Sequence, residues 1–444
     1  MVLSFSVSDS ISKSIALSLI LLGSACGGSS PSNAPTVKPA SAIEHLVVVI
    51  QENHTFDNYF GQWCTADVGS NPTCTSGPSC CERGPDTDPG TGDMPTVLDD
   101  TANGSYDPNH AQSCEVEEIH DGKMDKFVTA AGCGDPRNFA YADPITVKPL
   151  RDLAAKYALA DRYFQPVAGA STSNDMYLGS ARFVFDDDDF TPNSVGQTCA
   201  VGGKVMSFTG TTLADLMTDA KVTWAFYAEG YKTMADSIAS DGRCPDAPAD
   251  CPAGTPIYPC VFDPGDVPFE YYSRFADNPT YMKDYAEFEK IFAAGSSVTL
   301  PQVSFVKALG YKTEHPGQKD AISTGIAFTT GLSDKIAASR FADSTLLLII
   351  YDEGGGYFDH VAPPATSTVD MQPYGMRLPV IAAGPFARKS FISHVTMEHS
   401  SIVKFVEWNW LGQTTGQLAA RDQVVANLGS LLDPTATVVA VPEQ

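Results

Sequence analysis

The sequence predicts an α/β fold built on a mostly parallel sheet, and three observations lead there. Short apolar runs recur along the chain without strict alternation, helical patterns lie between them, and two of the runs end in acidic residues. A strand covered on both faces reads as a continuous apolar run, as in parallel sheets. The runs are Leu46-Val47-Val48-Val49-Ile50, residues 223–227 (Thr-Trp-Ala-Phe-Tyr), residues 302–306 (Gln-Val-Ser-Phe-Val), residues 346–351 and residues 378–383. Helical patterns precede two of them, at residues 211–217 and 320–339, and a third begins at residue 400. Alternating strands and helices place ligands beyond the carboxyl ends of the strands. Trp224, Phe226 and Tyr227 fall in an apolar strand pattern and read as core.

The chain has 444 residues, 43% hydrophobic and 10% aromatic, so a packed core is within reach and wholesale disorder is excluded. Asp and Glu total 53 against 28 Lys and Arg, a net charge of −25. Such a surface repels phosphate backbones and anionic membranes, which disfavours nucleic-acid partners.

Lys13 followed by the apolar run 15–22 and then Gly23-Ser24-Ala25-Cys26 reads as an export signal with lipidation on Cys26. The run is too short to span a bilayer. The organisation predicted is therefore a signal peptide over 1–25, a Gly/Ser/Pro-rich tether over 26–42 and one domain over 43–444. The only membrane attachment expected is the lipid anchor on Cys26, and the destination is the periplasm, the outer membrane or the medium. Ten further cysteines (64, 74, 80, 81, 114, 133, 199, 244, 251, 260) allow up to five disulfides in an oxidising compartment. They cluster in Gly-, Pro- and Asp-rich segments, which read as stapled loops. Cys80-Cys81 lacks histidines at zinc-ligand spacing.

The first run leads into Gln51-Glu52-Asn53-His54, and the 346 run into Asp352-Glu353-Gly354-Gly355-Gly356. Two strands thus deliver acids to one sheet edge. Glu52, Asn53, Asp352 and Glu353 offer three carboxylates and an amide carbonyl, hard donors suited to one divalent metal ion. Such an ion polarises a phosphoryl oxygen and activates a hydroxyl. The best hydroxyl is Ser171, in Val167-Ala168-Gly169-Ala170-Ser171-Thr172-Ser173-Asn174-Asp175, with Thr172 and Ser173 as local rivals. Ser173 or Asn174 would cap a helix starting near Asp175. A nucleophile at a helix N-terminus gains from the positive dipole end. Among 8 histidines, His110, His315, His360 and His399 are placed to hold phosphoryl oxygens or protonate a leaving group. The run Asp186-Asp187-Asp188-Asp189 reads as a solvated acidic loop.

The segment Ile50-Gln51-Glu52-Asn53-His54-Thr55-Phe56-Asp57-Asn58-Tyr59-Phe60-Gly61 resembles the opening motif of the bacterial phosphoesterase family of acid phosphatases and non-haemolytic phospholipases C. Further motifs follow in order: Asp107-Pro108-Asn109-His110, residues 122–128, residues 169–174, Glu314-His315-Pro316, Tyr351-Asp352-Glu353-Gly354-Gly355, Phe358-Asp359-His360-Val361 and Glu398-His399-Ser400-Ser401. The resemblance runs from about residue 43 to about residue 415. It implies a three-layer α/β/α sandwich, alkaline-phosphatase-like, with a metal held by Glu52, Asn53, Asp352 and Glu353 and with Ser171 as metal-bound nucleophile. It implies phosphoryl contacts from His110 and His315, with His360 a further candidate, and a phospho-serine intermediate that water hydrolyses. Phospholipase C members usually carry Gly-Pro-Thr and Pro-Asn-Arg around the nucleophile, where this chain has Ala170, Ser171, Ser173 and Asp175 in place of Pro, Thr, Pro and Arg. That departure, the Cys-rich segment and the short C-terminal extension favour phosphate monoesters over lipid headgroup diesters. A phospholipase C, a non-catalytic surface lipoprotein on the same fold and a sulfatase are the competing readings. The sulfatase is disfavoured by the lack of the motif that generates an aldehyde nucleophile.

Overall fold

The apolar runs lie side by side in one eight-stranded sheet. The computed structural model describes residues 37–185, 193–196, 205–242, 244–249, 251–252 and 259–444. The predicted signal, Cys26, most of the tether, the 186–189 acidic run and Cys199 lie outside the described residues. The strands are β1 (His45–Gln51), β2 (Ala158–Ala160), β3 (Trp224–Ala228), β4 (Met282–Asp284), β5 (Val303–Lys307), β6 (Thr345–Tyr351), β7 (Val380–Ala383) and β8 (Phe391–Ser393). Their spatial order is β8-β2-β7-β6-β1-β5-β3-β4. β1 sits at the centre, parallel to β6 on one side and to β5 on the other. Only β7 runs against the rest, antiparallel to both β6 and β2. The carboxyl ends of β1, β5, β6 and β2 therefore share one edge.

Every residue of β1 and of β6 is buried, so both faces of the sheet are covered. The helices that matter for the site are α1 (Lys148–Lys156), α2 (Ser171–Ser180), α3 (Leu213–Ala220), α4 (Tyr285–Phe292), α5 (Ile322–Ala337) and α6 (His399–Trp410). α1 packs on α5, and Lys335 of α5 pairs with Glu289 of α4. α2 packs on α6 and on α3. The two groups form the outer layers of a three-layer α/β/α sandwich. α3 starts with a capping box between Thr212 and Asp215, which satisfies two backbone donors at the helix start. The long apolar β-branched runs of β1 and β6 were readable in sequence. The three-residue strands β2, β4 and β8 were not, because so short a run has no period.

Residues ahead of position 43 pack on the domain. Ala40 N–H donates to the Asn409 carbonyl, and Ser41 Oγ donates to Asn409 Oδ1 at 2.7 Å. Four disulfides join described cysteines: Cys64–Cys81, Cys74–Cys80, Cys114–Cys133 and Cys251–Cys260. Cys80 and Cys81 are therefore committed to disulfides rather than to zinc. No helix among the described residues is long and apolar enough to cross a membrane.

Arg377, just before β7, is fully enclosed and ties the motif after β1 to the motif after β6. It donates to Asp359 Oδ1 at 2.8 Å and to Asp57 Oδ1 at 3.0 Å, and its guanidinium lies over Phe56. His360, a further candidate for a phosphoryl contact, belongs to this cluster. Its Nδ1 lies 2.7 Å from Asp57 Oδ2 and its Nε2 3.4 Å from Glu82 Oε2, so both ring nitrogens are turned to carboxylates. Burial works against its charge, but Asp57 and Glu82 more than offset it and raise its pKa to about 9.

Replacing Arg377 by Met strands two buried carboxylates and should lower unfolding stability by about 3–5 kcal/mol, read as the urea midpoint. The His360 contribution should be complete below pH ~6.5 and fade as pH rises through its folded value, for a total of about 3 kcal/mol. Unfolding curves of wild type and His360→Gln should thus converge as pH rises from neutrality past about 9; parallel curves would show that the ring is not charged in the folded state.

Candidate active site

The shared carboxyl edge gathers the predicted ligands. Glu52 and Asn53 follow β1, and Asp352 and Glu353 follow β6. Asn53 takes φ +63°, which turns the chain sharply after the strand. Gly355, at φ +66°, backs directly onto it: a Cβ there would sit 2.5 Å from the Asn53 carbonyl oxygen. Only glycine allows this approach, and it brings the two ligand pairs together. Asp352 Oδ1 accepts the backbone N–H of Asn53 at 3.2 Å and of Glu353 at 2.8 Å. Glu353 Oε2 accepts the Gly355 N–H.

Ser171 reaches the same spot from the loop after β2. Its Oγ lies 3.4 Å from Asn53 Oδ1 and 3.4 Å from Glu353 Oε1. The helix was expected to start near Asp175 under a Ser173 or Asn174 cap. It starts at Ser171 instead, after Ala170, with no side-chain cap. Asn174 folds back into the loop: Nδ2 donates to the carbonyls of Gly169 and Ala170, and Oδ1 accepts the Val167 N–H. Ser171 thus occupies the first helical position, where backbone donors lack intrahelical partners. Gln165 clamps this loop to the other ligand loop. It donates to Glu115 Oε2 at 2.7 Å and accepts the Gly354 N–H at 2.7 Å.

The residues present fit a hard divalent cation. Asp352 Oδ2 is buried with no hydrogen-bond partner, the state of a ligand atom awaiting a cation. Burial pushes the Asp352 and Glu353 carboxyls well above the usual range, and neighbouring carboxylates including Glu52 push both further. Three carboxylates, an amide oxygen and a hydroxyl are the donor types that such an ion takes.

His110 and His315 face each other at the rim, ring centroids 6.1 Å apart. Nδ1 of His110 donates to the Pro108 carbonyl at 2.9 Å, leaving Nε2 directed at Glu353 Oε1, 3.8 Å away. His315 Nδ1 donates to the Pro316 carbonyl at 2.6 Å. Asp107 joins them: one ligand atom from each of the three lies within 4.8 Å of the others. His399 braces the site from behind. Its Nε2 lies 2.8 Å from the Asp352 carbonyl and its Nδ1 3.0 Å from the Tyr163 hydroxyl, and burial lowers its pKa to about 4. It is a neutral support and not a phosphoryl contact.

Sequence reasoning missed two residues of consequence. Lys307 ends β5 on the same edge, and its Nζ lies 2.6 Å from Glu52 Oε1. Burial alone would raise the Glu52 pKa, but Lys307 outweighs it and holds the carboxyl at about 2. The rule that drew attention to Glu52 and Asp352, a polar residue ending a buried strand, would have found Lys307 too. Glu314 was noted only as part of a motif. It is buried and accepts from Tyr59 at 2.6 Å, Tyr351 at 2.8 Å and Gln51 at 3.0 Å. Gln51 and Tyr351 directly precede Glu52 and Asp352, so this one carboxyl links both ligand strands to His315.

The model of the Phosphoesterase family matches residues 43–411. Phospholipase C B of Mycobacterium tuberculosis is 24% identical, covering 87% of this chain and 77% of the relative. The non-hemolytic phospholipase C of Pseudomonas aeruginosa is 23% identical, covering 82% of this chain and 53% of its own length. Among solved structures, a protein in the alkaline phosphatase superfamily from Vibrio parahaemolyticus aligns over 85% of this chain and 70% of that one, with 11% identity and a TM-score of 0.34. With the family match spanning most of its length, the chain belongs to the phosphoesterase family and is a hydrolase of phosphoester bonds.

Proposed function

We propose that this chain is an exported, metal-dependent phosphoesterase that hydrolyses phosphate monoesters through Ser171. The observation that carries the reading is the approach of Ser171 Oγ to Asn53 and Glu353 at the head of α2. A divalent cation held by Glu52, Asn53, Asp352 and Glu353 would polarise the phosphoryl group and lower the pKa of the serine hydroxyl. Ser171 Oγ then attacks phosphorus in line with the departing alkoxide. The P–O bond to the alcohol breaks, and the phosphoryl group passes to Ser171. His110 and His315 orient the phosphoryl oxygens, and the start of α2 contributes unpaired backbone N–H groups. Water cleaves the phospho-serine, releasing phosphate and restoring the hydroxyl. The four disulfides accord with an oxidising compartment, and with the export signal and the Cys26 anchor read from residues 1–26.

Asp175 supports monoesters over headgroup diesters. It stands where the phospholipase C subgroup carries Arg, and it is buried against Lys307, so it presents no cation to a substrate. Hydrolysis of phosphodiesters is the second reading, because the curated relatives are phospholipases C.

Ser171→Ala should lower kcat by roughly 10³-fold or more while leaving the thermal unfolding midpoint near that of wild type. Retained turnover would remove Ser171 from the mechanism. Prolonged chelation should abolish hydrolysis, and a single divalent metal should restore it. p-Nitrophenyl phosphate should turn over faster than p-nitrophenyl phosphocholine; the reverse order would establish the diester reading.

A further inference from the structure

Lys307 carries no step of the chemistry above, yet it is the cation most deeply enclosed beside the ligands, its side chain 6% exposed. It meets three carboxylates at once: Glu52 at 2.6 Å, Asp266 at 3.2 Å and Asp175 at 3.5 Å. An ammonium has three protons and no acceptor, so three carboxylates satisfy it completely. The carboxylates come from unrelated stretches of chain. Glu52 follows β1, Asp175 lies in the second turn of α2, and Asp266 lies in a loop whose Asp263 lines the same narrow cavity. Asp175 Oδ1 is buried with no hydrogen-bond partner. The pocket therefore holds more carboxylate oxygen than one ammonium uses.

We propose that Lys307 is a built-in cation filling a second cation position, where it holds the metal ligand Glu52 in place and keeps a second divalent ion out of the Glu52–Asp175–Asp266 pocket. This rests on the reading that Glu52, Asn53, Asp352 and Glu353 hold one divalent ion. Lys307 is a positioning residue, since it acts on the reacting atoms through Glu52. The physical argument is one of unpaired charge. Removing one partner of a buried ion pair leaves the others uncompensated in a site that water does not reach. Three buried carboxylates around the space left by an ammonium offer only hard oxygen donors. The oxygens need close in by only about 1 Å to reach the ~2.3–2.6 Å that such donors keep around a large divalent ion. A tethered ammonium never dissociates, so it holds the pocket against free ions.

The test counts ions. Metal-stripped protein is dialysed against Mn²⁺ alone, and bound manganese per chain is measured by elemental analysis. Wild type should bind one ion. Lys307→Ala and Lys307→Gln should each bind two, and adding Asp175→Asn to Lys307→Ala should return the count to one. Mn²⁺ should also raise the thermal midpoint of the Lys307 variants more than that of wild type. If the folded variants still bind one ion, or if neither variant folds even with Mn²⁺ present, a divalent ion cannot replace the ammonium and the proposal is wrong. Wild type binding two ions also overturns it. Wild type binding none would instead overturn the metal reading itself.

Discussion

Mutual repulsion among buried carboxylates at one sheet edge governs this structure. Glu52, Asp175, Asp352 and Glu353 are all enclosed there. Burying one charge without a partner costs several kcal/mol on the order of what a whole domain has to spare. The protein offsets the cost in two ways. Lys307 supplies a fixed positive charge to Glu52 and Asp175. Backbone N–H groups of Asn53, Glu353 and Gly355 point at the carboxylates. They leave Asp352 Oδ2 without a hydrogen-bond partner.

Holding such a site needs stiff surroundings, because a ligand displaced by an ångström loses much of its effect. The supports are buried polar residues with several partners each. Glu314 gathers Gln51, Tyr59 and Tyr351, and Asn103 Nδ2 binds its carbonyl at 3.0 Å. Gln165 ties the Ser171 loop to the glycine loop after Glu353. Arg377 joins Asp57 and Asp359, which lie five and six residues beyond Glu52 and Glu353. Each support spans two motifs that are distant in sequence, so the motifs are coupled through packing. A buried network with this many side-chain hydrogen bonds stiffens the loops that it joins.

Ser171, the proposed nucleophile, is handled differently. Ser171 opens α2, and Asn174 in the next turn reaches back to brace the loop rather than to cap the helix. The backbone donors at the helix start are then not taken up by a side-chain cap. His110 and His315 stand at the rim with their Nδ1 atoms fixed on carbonyls, which sets the tautomer and presents the other side of each ring.

By itself the sequence determined the parallel α/β class, the placement of Glu52 and Asp352 at strand ends, and the hydroxyl-bearing loop at Ser171. These depend on local signals: a continuous apolar run, an acid at its end, a glycine before a polar cluster. The motif likeness added the expected ligand set, and the family match added the class of chemistry. Only the tertiary structure decided the partners. Nothing near His360 in the chain announces Glu82, and nothing near Lys307 announces Asp175 and Asp266. A side chain's role follows from which charges face it, and those faces are brought together by strand order and loop crossing, quantities that no local pattern encodes.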